Sequence, residues 1–461
     1  MAGRERLVVI GGDAAGMSAA SQARRRRGPD ELEIAVFERG HHASYSACGI
    51  PYLAGGVVAD ADALIARTPE EFRDRDIDLR LRTEATEIDL PGGRVRVRGL
   101  DGGGERWEGY DRLMVATGAV PARPRLPGAD AEGVHGVQVL DNGIRIRRVL
   151  DRDGPRRAVV VGGGYIGLEM AEAMVSRGLE VSLVDVADQP MRTLDPDMGA
   201  LVADALRDIG VRLYLGEPVE GFDTSGGRVT AVRTADRSLP ADLVVLGLGV
   251  RPGSDLARAA GIEVGATGGI VTDRRMRTRA DGVWAAGDCV ETRHLVSGAP
   301  VAIALGTHAN KQGRVAGVNL GGGYATFPGV VGTAVAKICQ VEVARTGLNE
   351  REAAEAGFET ISVVVESTTR AGYYPGATTM HTKLVAERRS GRLLGAQIVG
   401  EEGAAKRVDG LAVALWNGMT VEEMTGLDLG YAPPFAPVWD PVLIAARKAA
   451  ERVEEDMRAA P

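Results

Sequence analysis

The chain has 461 residues, with 55 Lys and Arg against 63 Asp and Glu and a formal net charge of -8; that length calls for two to four domains with an ample core, and the acid surplus excludes an ordinary nucleic-acid-binding surface, which needs a basic excess. Cys48, Cys289 and Cys339 lie far apart, which excludes a disulfide framework or a clustered metal site and suits a reducing compartment. No apolar run reaches the roughly 18 residues that cross a membrane, and the N-terminus enters a strand too early to hold a signal peptide, so a soluble, cytoplasmic protein is expected.

Leu7-Val8-Val9-Ile10 predicts a strand that runs into Gly11 and an alanine-rich helix, and Ile34-Ala35-Val36-Phe37-Glu38 predicts a second strand ending in an acid. The turn between strand and helix, Gly11-Gly12-Asp13-Ala14-Ala15-Gly16, keeps the outer glycines of G-x-G-x-x-G but places Asp13 in the middle. A carboxylate is unexpected where a dinucleotide's phosphates would pass. The basic run Arg24 to Arg27 reads equally as a solvated helix end or an anion site. Ser44-Tyr45-Ser46-Ala47-Cys48-Gly49-Ile50-Pro51-Tyr52 follows, and Arg112 to Gly118 predicts a strand leaving this first unit.

Ala158 to Val161 opens a second unit, where Gly162-Gly163-Gly164-Tyr165-Ile166-Gly167 completes the motif. The first glycine makes the turn, the second admits the backbone to a pyrophosphate, and the third lets the helix pack on its strand. The helix N-terminus then offers free N–H groups to phosphate. Val181 to Asp185 ends in an acid suited to ribose hydroxyls, and Leu243 to Gly249 predicts the strand that leaves the unit. Further on, Thr278 to Asp288 places an acid directly after a small-residue strand end. From Tyr324 the pattern becomes α+β, with strands expected at Val330 to Ala344, Ile361 to Ser367 and Leu393 to Val399 and helices at Lys406 to Asn417 and Val421 to Met424. The final Ala-, Arg- and Glu-rich stretch reads as a surface helix or a frayed tail.

The Thr278 to Asp288 segment resembles the second FAD fingerprint of flavin-dependent pyridine nucleotide-disulfide reductases, in which that Asp bonds the ribityl chain. From Leu7 to about Ala445 the chain resembles the single-cysteine branch of that family, which holds coenzyme A-disulfide reductases, persulfide reductases and NADH oxidases or peroxidases. The C-terminal match runs through Gly329-Val330-Val331-Gly332-Thr333, Ala344 to Leu348, Tyr373-Tyr374-Pro375-Gly376 and Tyr431-Ala432-Pro433-Pro434. The resemblance implies an α/β fold with two Rossmann-like domains. The FAD domain is split between residues 1–118 and 250–323, the NAD(P) domain spans 119–249, and an α+β dimerisation domain at 324–461 implies a homodimer. FAD is expected on Gly11, Gly16, Glu38 and Asp288, and NADH on Gly162, Gly164, Gly167 and Asp185. NADPH is disfavoured, because Asp185 would repel a 2′-phosphate and Val186 and Ala187 supply no arginine.

In the family the segment around Cys48 opens the helix that faces the flavin, a place where helix dipole and N–H groups lower a thiol's pKa. Dithiol relatives carry C-x-x-x-x-C, but here Ala43 and Leu53 occupy the possible partner positions. Cys48 is therefore expected to pair with an outside sulfur, in a mixed disulfide, or to cycle through sulfenic acid. Oxidases and peroxidases usually carry a His where this chain has Ala14, which turns the expectation toward reduction of a low-molecular-weight disulfide or persulfide. Tyr373 and Tyr431 match tyrosines that reach the other subunit's cysteine, where a phenol can protonate a departing thiolate. Coenzyme A users can place a lysine where Asp76 stands, which leaves the thiol carrier open, although Arg24 and Arg25 remain in the matching basic stretch. Cys289 and Cys339 are expected to be packing residues, and no metal is expected. Two other readings stay open: an NADH oxidase passing electrons from flavin to oxygen, and a flavin-loaded redox sensor.

Overall fold

The computed structural model describes residues 4–459. Two five-stranded parallel sheets carry the two glycine turns. The first runs in the order Val283–Ala285, Arg112–Val115, Glu5–Ile10, Leu32–Phe37, Ile77–Arg80, with Leu7 opposite Ile34 and Arg112. Its strands read as continuous apolar runs because a parallel sheet is buried on both faces, and Leu7, Val8, Val9, Val36 and Leu113 are fully buried. Helix Ala14–Arg24 lies against helix Gly306–Leu320. A Cβ at Gly313 would sit 2.3 Å from the Ala15 carbonyl oxygen, and one at Gly317 would sit 2.4 Å from that of Ala19. These two glycines let the backbones touch, clamping residues far apart in sequence into one unit.

The second sheet runs Arg212–Leu215, Glu180–Asp185, Arg157–Val161, Leu243–Leu246, Val134–Gly136. Each parallel sheet has a three-stranded antiparallel companion, Thr83–Asp89 to Glu105–Gly109 in the first unit and Val219–Ser225 to Ser238–Pro240 in the second. The chain crosses between the units at Ala119–Pro121 and Val250–Pro252, which pair antiparallel. On this footing we propose the divisions expected at 118/119 and 249/250.

The C-terminal part is a five-stranded antiparallel sheet ordered Ala334–Ile338, Val341–Gly347, Leu393–Gly400, Thr379–Glu387, Thr360–Thr368. The structure corrects one expectation, adds one strand and decides one alternative. The single strand read over Val330 to Ala344 is a hairpin, and Cys339 sits in its turn at φ +55° rather than in a strand. Strand Thr379–Glu387 escapes the hydrophobic pattern because its buried positions include Thr382 and Lys383, which look solvent-facing to any alternation count. The terminal stretch is an ordered helix, Pro441–Ala459, that buries Val442, Ala445, Ala446, Ala449 and Val453 against the sheet. Among the described residues no helix is long and apolar enough to cross a membrane.

Candidate functional site

The first glycine turn leaves no alternative residues at its ends. Gly11 has φ +105° and a Cβ there would lie 2.1 Å from the Ala116 carbonyl oxygen, while one at Gly16 would lie 1.9 Å from that of Gly11. Glu38, ending the next strand, accepts hydrogen bonds from the amides of Gly12 (2.7 Å) and Gly40 (2.6 Å). The unexpected Asp13 serves a structural purpose, since its Oδ1 accepts from the Tyr45 amide at 3.3 Å. With the Ser44 amide bonded to Gly12 O at 3.0 Å, this ties the cysteine segment to the turn. Burial pushes the Asp13 carboxyl up to about 6 against that amide, and the charges of Glu38 and Asp288 add to the rise.

Asp288 stands just past strand Val283–Ala285 and is also pushed up to about 6, by burial. Its buried Oδ1 has no hydrogen-bond partner among the described residues. A buried acceptor without a donor is costly, and a polyol chain would supply the donor. A cavity of about 640 Å³ runs from Gly11 and Glu38 to Asp288, and a second, of about 850 Å³, shares Asp13, Tyr45, Ala47, Ala119, Gln138 and Asp288 with it. The two form one continuous cleft. A ribose acid, a phosphate turn and an orphaned acceptor along an elongated cavity fit FAD.

In the second unit Gly162 has φ +103° and a Cβ there would lie 2.5 Å from Gly247 O; one at Gly167 would lie 1.8 Å from Gly162 O. Gly164 differs, since a Cβ there would meet nothing within 4 Å. It would project into the open space that a pyrophosphate needs. The amide of Ala187 (2.8 Å) and that of Gly163 hold the Asp185 carboxylate in place, while Val186 is exposed beside it.

Cys48 lies in a single 3₁₀ turn, Ala47–Gly49, leading into helix Ile50–Gly55, and it is exposed on the second cavity. The lowered thiol pKa expected there is not found. Partial desolvation of the thiol in the cleft and the charges of Glu169, Asp288 and Asp13 raise it, outweighing the backbone hydrogen bond at Cys48 that lowers it. Glu169 is a site residue that sequence reasoning misses. It is the fifth residue of helix Tyr165–Ser176, two positions past the last glycine, and burial with the charge of Glu172 pushes it up to about 7. Its position beside the glycine motif is a usable signal; its bearing on a cysteine in another unit is not legible locally.

The outer arm of the cleft carries Arg25, Arg67 and Arg314, with Ser18, Gln22 and Asn310 between them. Only Arg25 of the basic run lies there. Arg24 is turned away onto the carbonyls of Arg27 (3.0 Å), Leu32 (2.7 Å) and Asp76 (2.9 Å), and Arg27 binds Glu5, so those two brace the helix end instead of forming an anion site. Arg67 and Arg314, isolated in sequence, join Arg25 only through the fold.

Tyr373 and Tyr431 are exposed neighbours, and the Tyr373 phenol raises the pKa of Tyr431. Arg407 clasps their loops by donating to Thr369 O (2.7 Å) and Phe435 O (2.8 Å). Neither tyrosine lines the cleft of its own chain; they lie on a surface where Phe435, Val438 and Trp439 are also exposed. Cys289 is buried against the carbonyls of Ala286 (3.3 Å) and Val115 (3.6 Å), a packing residue.

The family described as pyridine nucleotide-disulphide oxidoreductase matches residues 5–313, and its dimerisation domain matches residues 333–441. The chain is 40% identical over 449 residues to an NAD(P)H sulfur oxidoreductase (CoA-dependent) of Pyrococcus abyssi, covering 96% of this chain and 98% of that protein. It is 36% identical to an NADH oxidase of Methanocaldococcus jannaschii, over 97% of this chain and 99% of that one. Among solved structures, an NAD-dependent persulfide reductase from A. fulgidus superposes with a TM-score of 0.94 at 40% identity, covering 98% of this chain and 84% of that one.

Because Glu169 carries negative charge above about pH 7 and opposes the Cys48 thiolate, Glu169→Gln should lower the Cys48 pKa by roughly half to one unit. The pH dependence of carbamidomethylation at Cys48, followed by mass spectrometry, checks this; an unchanged or raised midpoint would show that the two groups do not interact.

Proposed function

The chain belongs to the pyridine nucleotide-disulphide oxidoreductase family, and from that premise we propose that it uses NADH to reduce a low-molecular-weight disulfide or persulfide through a mixed disulfide on Cys48. One observation carries the reading. Cys48 is a solitary exposed thiol where the flavin-shaped cavity meets an arm bearing three arginines. The family implies FAD, which when bound accepts the hydride of NAD(P)H and passes the electron pair to the sulfur beside it. Gly11, Gly16, Glu38 and Asp288 would hold it, and Gly162, Gly164, Gly167 and Asp185 would hold the nicotinamide dinucleotide.

The Cys48 thiolate attacks one sulfur of the substrate, and the other leaves as a thiolate. An electron pair from NADH then cleaves the new S–S bond, releasing the second thiol and restoring Cys48. The sum is one disulfide, one NADH and one proton giving NAD⁺ and two thiols. Arg25, Arg67 and Arg314 favour a thiol carrier bearing phosphate, such as coenzyme A. Asp76 argues less against coenzyme A than its position suggested, because Arg67 and Arg314 add basic charge from elsewhere in the fold.

The chain acts as a homodimer in this reading, with Tyr373 and Tyr431 of the partner subunit protonating the leaving thiolate at Cys48. Their closeness to each other, exposure and apolar surroundings support that placement. NADH is preferred over NADPH, because Asp185 is held by two backbone amides and a 2′-phosphate would meet a fixed carboxylate. A second reading, an NADH oxidase, is favoured by the Methanocaldococcus relative.

Cys48→Ser should keep FAD and its reduction by NADH but lose disulfide turnover under argon by at least about a hundredfold. Turnover with oxygen alone, surviving the substitution, would establish the oxidase reading instead. Tyr373→Phe/Tyr431→Phe should slow disulfide turnover about a hundredfold, and its co-expressed heterodimer with Cys48→Ser should recover about half the wild-type rate from one intact composite site. No recovery in an FAD-loaded heterodimer would place the tyrosines in their own chain's chemistry. For the cofactor, kcat/KM should favour NADH by at least about tenfold, and equal values would remove Asp185 from that role.

A further inference from the structure

Lys383 is a lysine at 2% exposure in the middle of the C-terminal sheet. Its ammonium faces three carboxylates: Asp197, bonded through both oxygens at 2.9 Å, Asp195 at 3.2 Å and Glu350 at 3.3 Å. Desolvation opposes the charge, but the bond to Asp197 and the charges of Asp195, Asp197 and Glu350 outweigh it and hold the pKa above the usual lysine value. A buried charge with this many partners is expensive to assemble and expensive to break.

Asp195 and Asp197 do not belong to that sheet. They cap and open helix Pro196–Asp208 of the second dinucleotide unit. Gln397, also on the C-terminal sheet, grips Asp195 from both sides, accepting from its amide at 2.7 Å and donating to Oδ2 at 2.6 Å. Arg345 and Asn349 donate to the carbonyl of Thr193 at 2.7 and 3.3 Å. The other end of the same segment meets the glycine turn. The Met191 amide donates to Gly163 O at 2.8 Å, and the Cβ position of Gly163 is 3.4 Å from Pro190 Cα and 3.1 Å from Asp185 Oδ2. A continuous set of contacts therefore leads from Lys383 to the turn and to its ribose acid. The covalent chain joins this unit to the first at two crossings, so side contacts of this kind decide where the turn is held.

We propose that Lys383 is a positioning residue for the nicotinamide dinucleotide: through Asp195 and Asp197 it fixes the segment Pro190–Asp195 against the glycine turn that binds it. The inference rests on the placement of NADH at Gly162–Gly167 proposed above. The segment touches the turn and the ribose acid, so Lys383 governs binding more than hydride transfer.

The test is anaerobic stopped-flow reduction of the FAD-loaded enzyme over a range of NADH concentrations. Lys383→Met should raise the NADH Kd about tenfold, equivalent to about 1.4 kcal/mol. It should leave the limiting flavin reduction rate within about threefold, with FAD content and ferricyanide reoxidation of the photoreduced enzyme unchanged. Lys383→Arg should restore most of the affinity. If Lys383→Met does not accumulate as holoenzyme, Asp197→Asn/Glu350→Gln keeps the lysine on Asp195 and should raise Kd about threefold, in keeping with loss of the half-exposed partners. An unchanged Kd in a folded variant overturns the inference, as does a rise of Kd accompanied by an equal decline of limiting rate and ferricyanide reoxidation, which would mark general loosening. Gly164→Val reports on the placement itself: if it leaves NADH affinity intact, the placement fails and the inference with it; if it abolishes affinity while Lys383→Met does nothing, the inference alone fails.

Discussion

A single thiol without an internal partner constrains everything around it. Cys48 has no second sulfur within its own segment, and Cys289 is sealed in the core of the first unit. Any two-electron chemistry at Cys48 must therefore take its second sulfur, or oxygen, from outside. That requirement explains a cleft with two arms, one shaped for a bound flavin and one open to solvent and lined with arginine. It also explains an acidic wall that would be counterproductive for a permanently ionised thiol. With desolvation, Glu169, Asp288 and Asp13 raising its pKa, Cys48 is protected from indiscriminate reaction, since only the thiolate is nucleophilic.

The second constraint is mechanical. Two dinucleotide units joined at two strand crossings must hold a hydride donor and acceptor in register, and misplacement by an ångström is costly in rate. The C-terminal sheet supplies the missing stiffness. It binds the second unit through Lys383, Gln397 and Arg345, and it presents Tyr373, Tyr431 and their apolar neighbours outward. In the proposed dimer, one domain braces the cofactor site of its own chain while offering proton donors to another.

What is legible in the sequence is local. The glycine turns, their acids Glu38 and Asp185, and the acid after a small-residue strand at Asp288 are short-range patterns whose physics lies within a few residues. The order of units follows because two such turns recur. What escapes is made by contacts distant in sequence. Strand Thr379–Glu387 hides its burial behind Thr382 and Lys383, Arg24 is held in part by the Asp76 carbonyl fifty-odd positions on, and Arg67 and Arg314 are ordinary surface residues until the fold gathers them. The thiol pKa fails for the same reason: a local helix end argues for depression, while desolvation in the folded cleft, with Glu169 of the other unit and Asp288 and Asp13 of its own, reverses the sign. Asp13 goes the other way, an apparent defect in the motif that proves to anchor the Tyr45 amide.

The chemistry proposed at Cys48 requires a covalent bond between its sulfur and one from outside the chain. The NADH-reduced holoenzyme, under argon with an excess of the disulfide it turns over fastest, should show by rapid-quench intact and peptide mass spectrometry about one thiol adduct per chain on Cys48, lost again when NADH is added. Disulfide turnover with Cys48 unmodified throughout, or an adduct on Cys48 that NADH cannot remove, would contradict it.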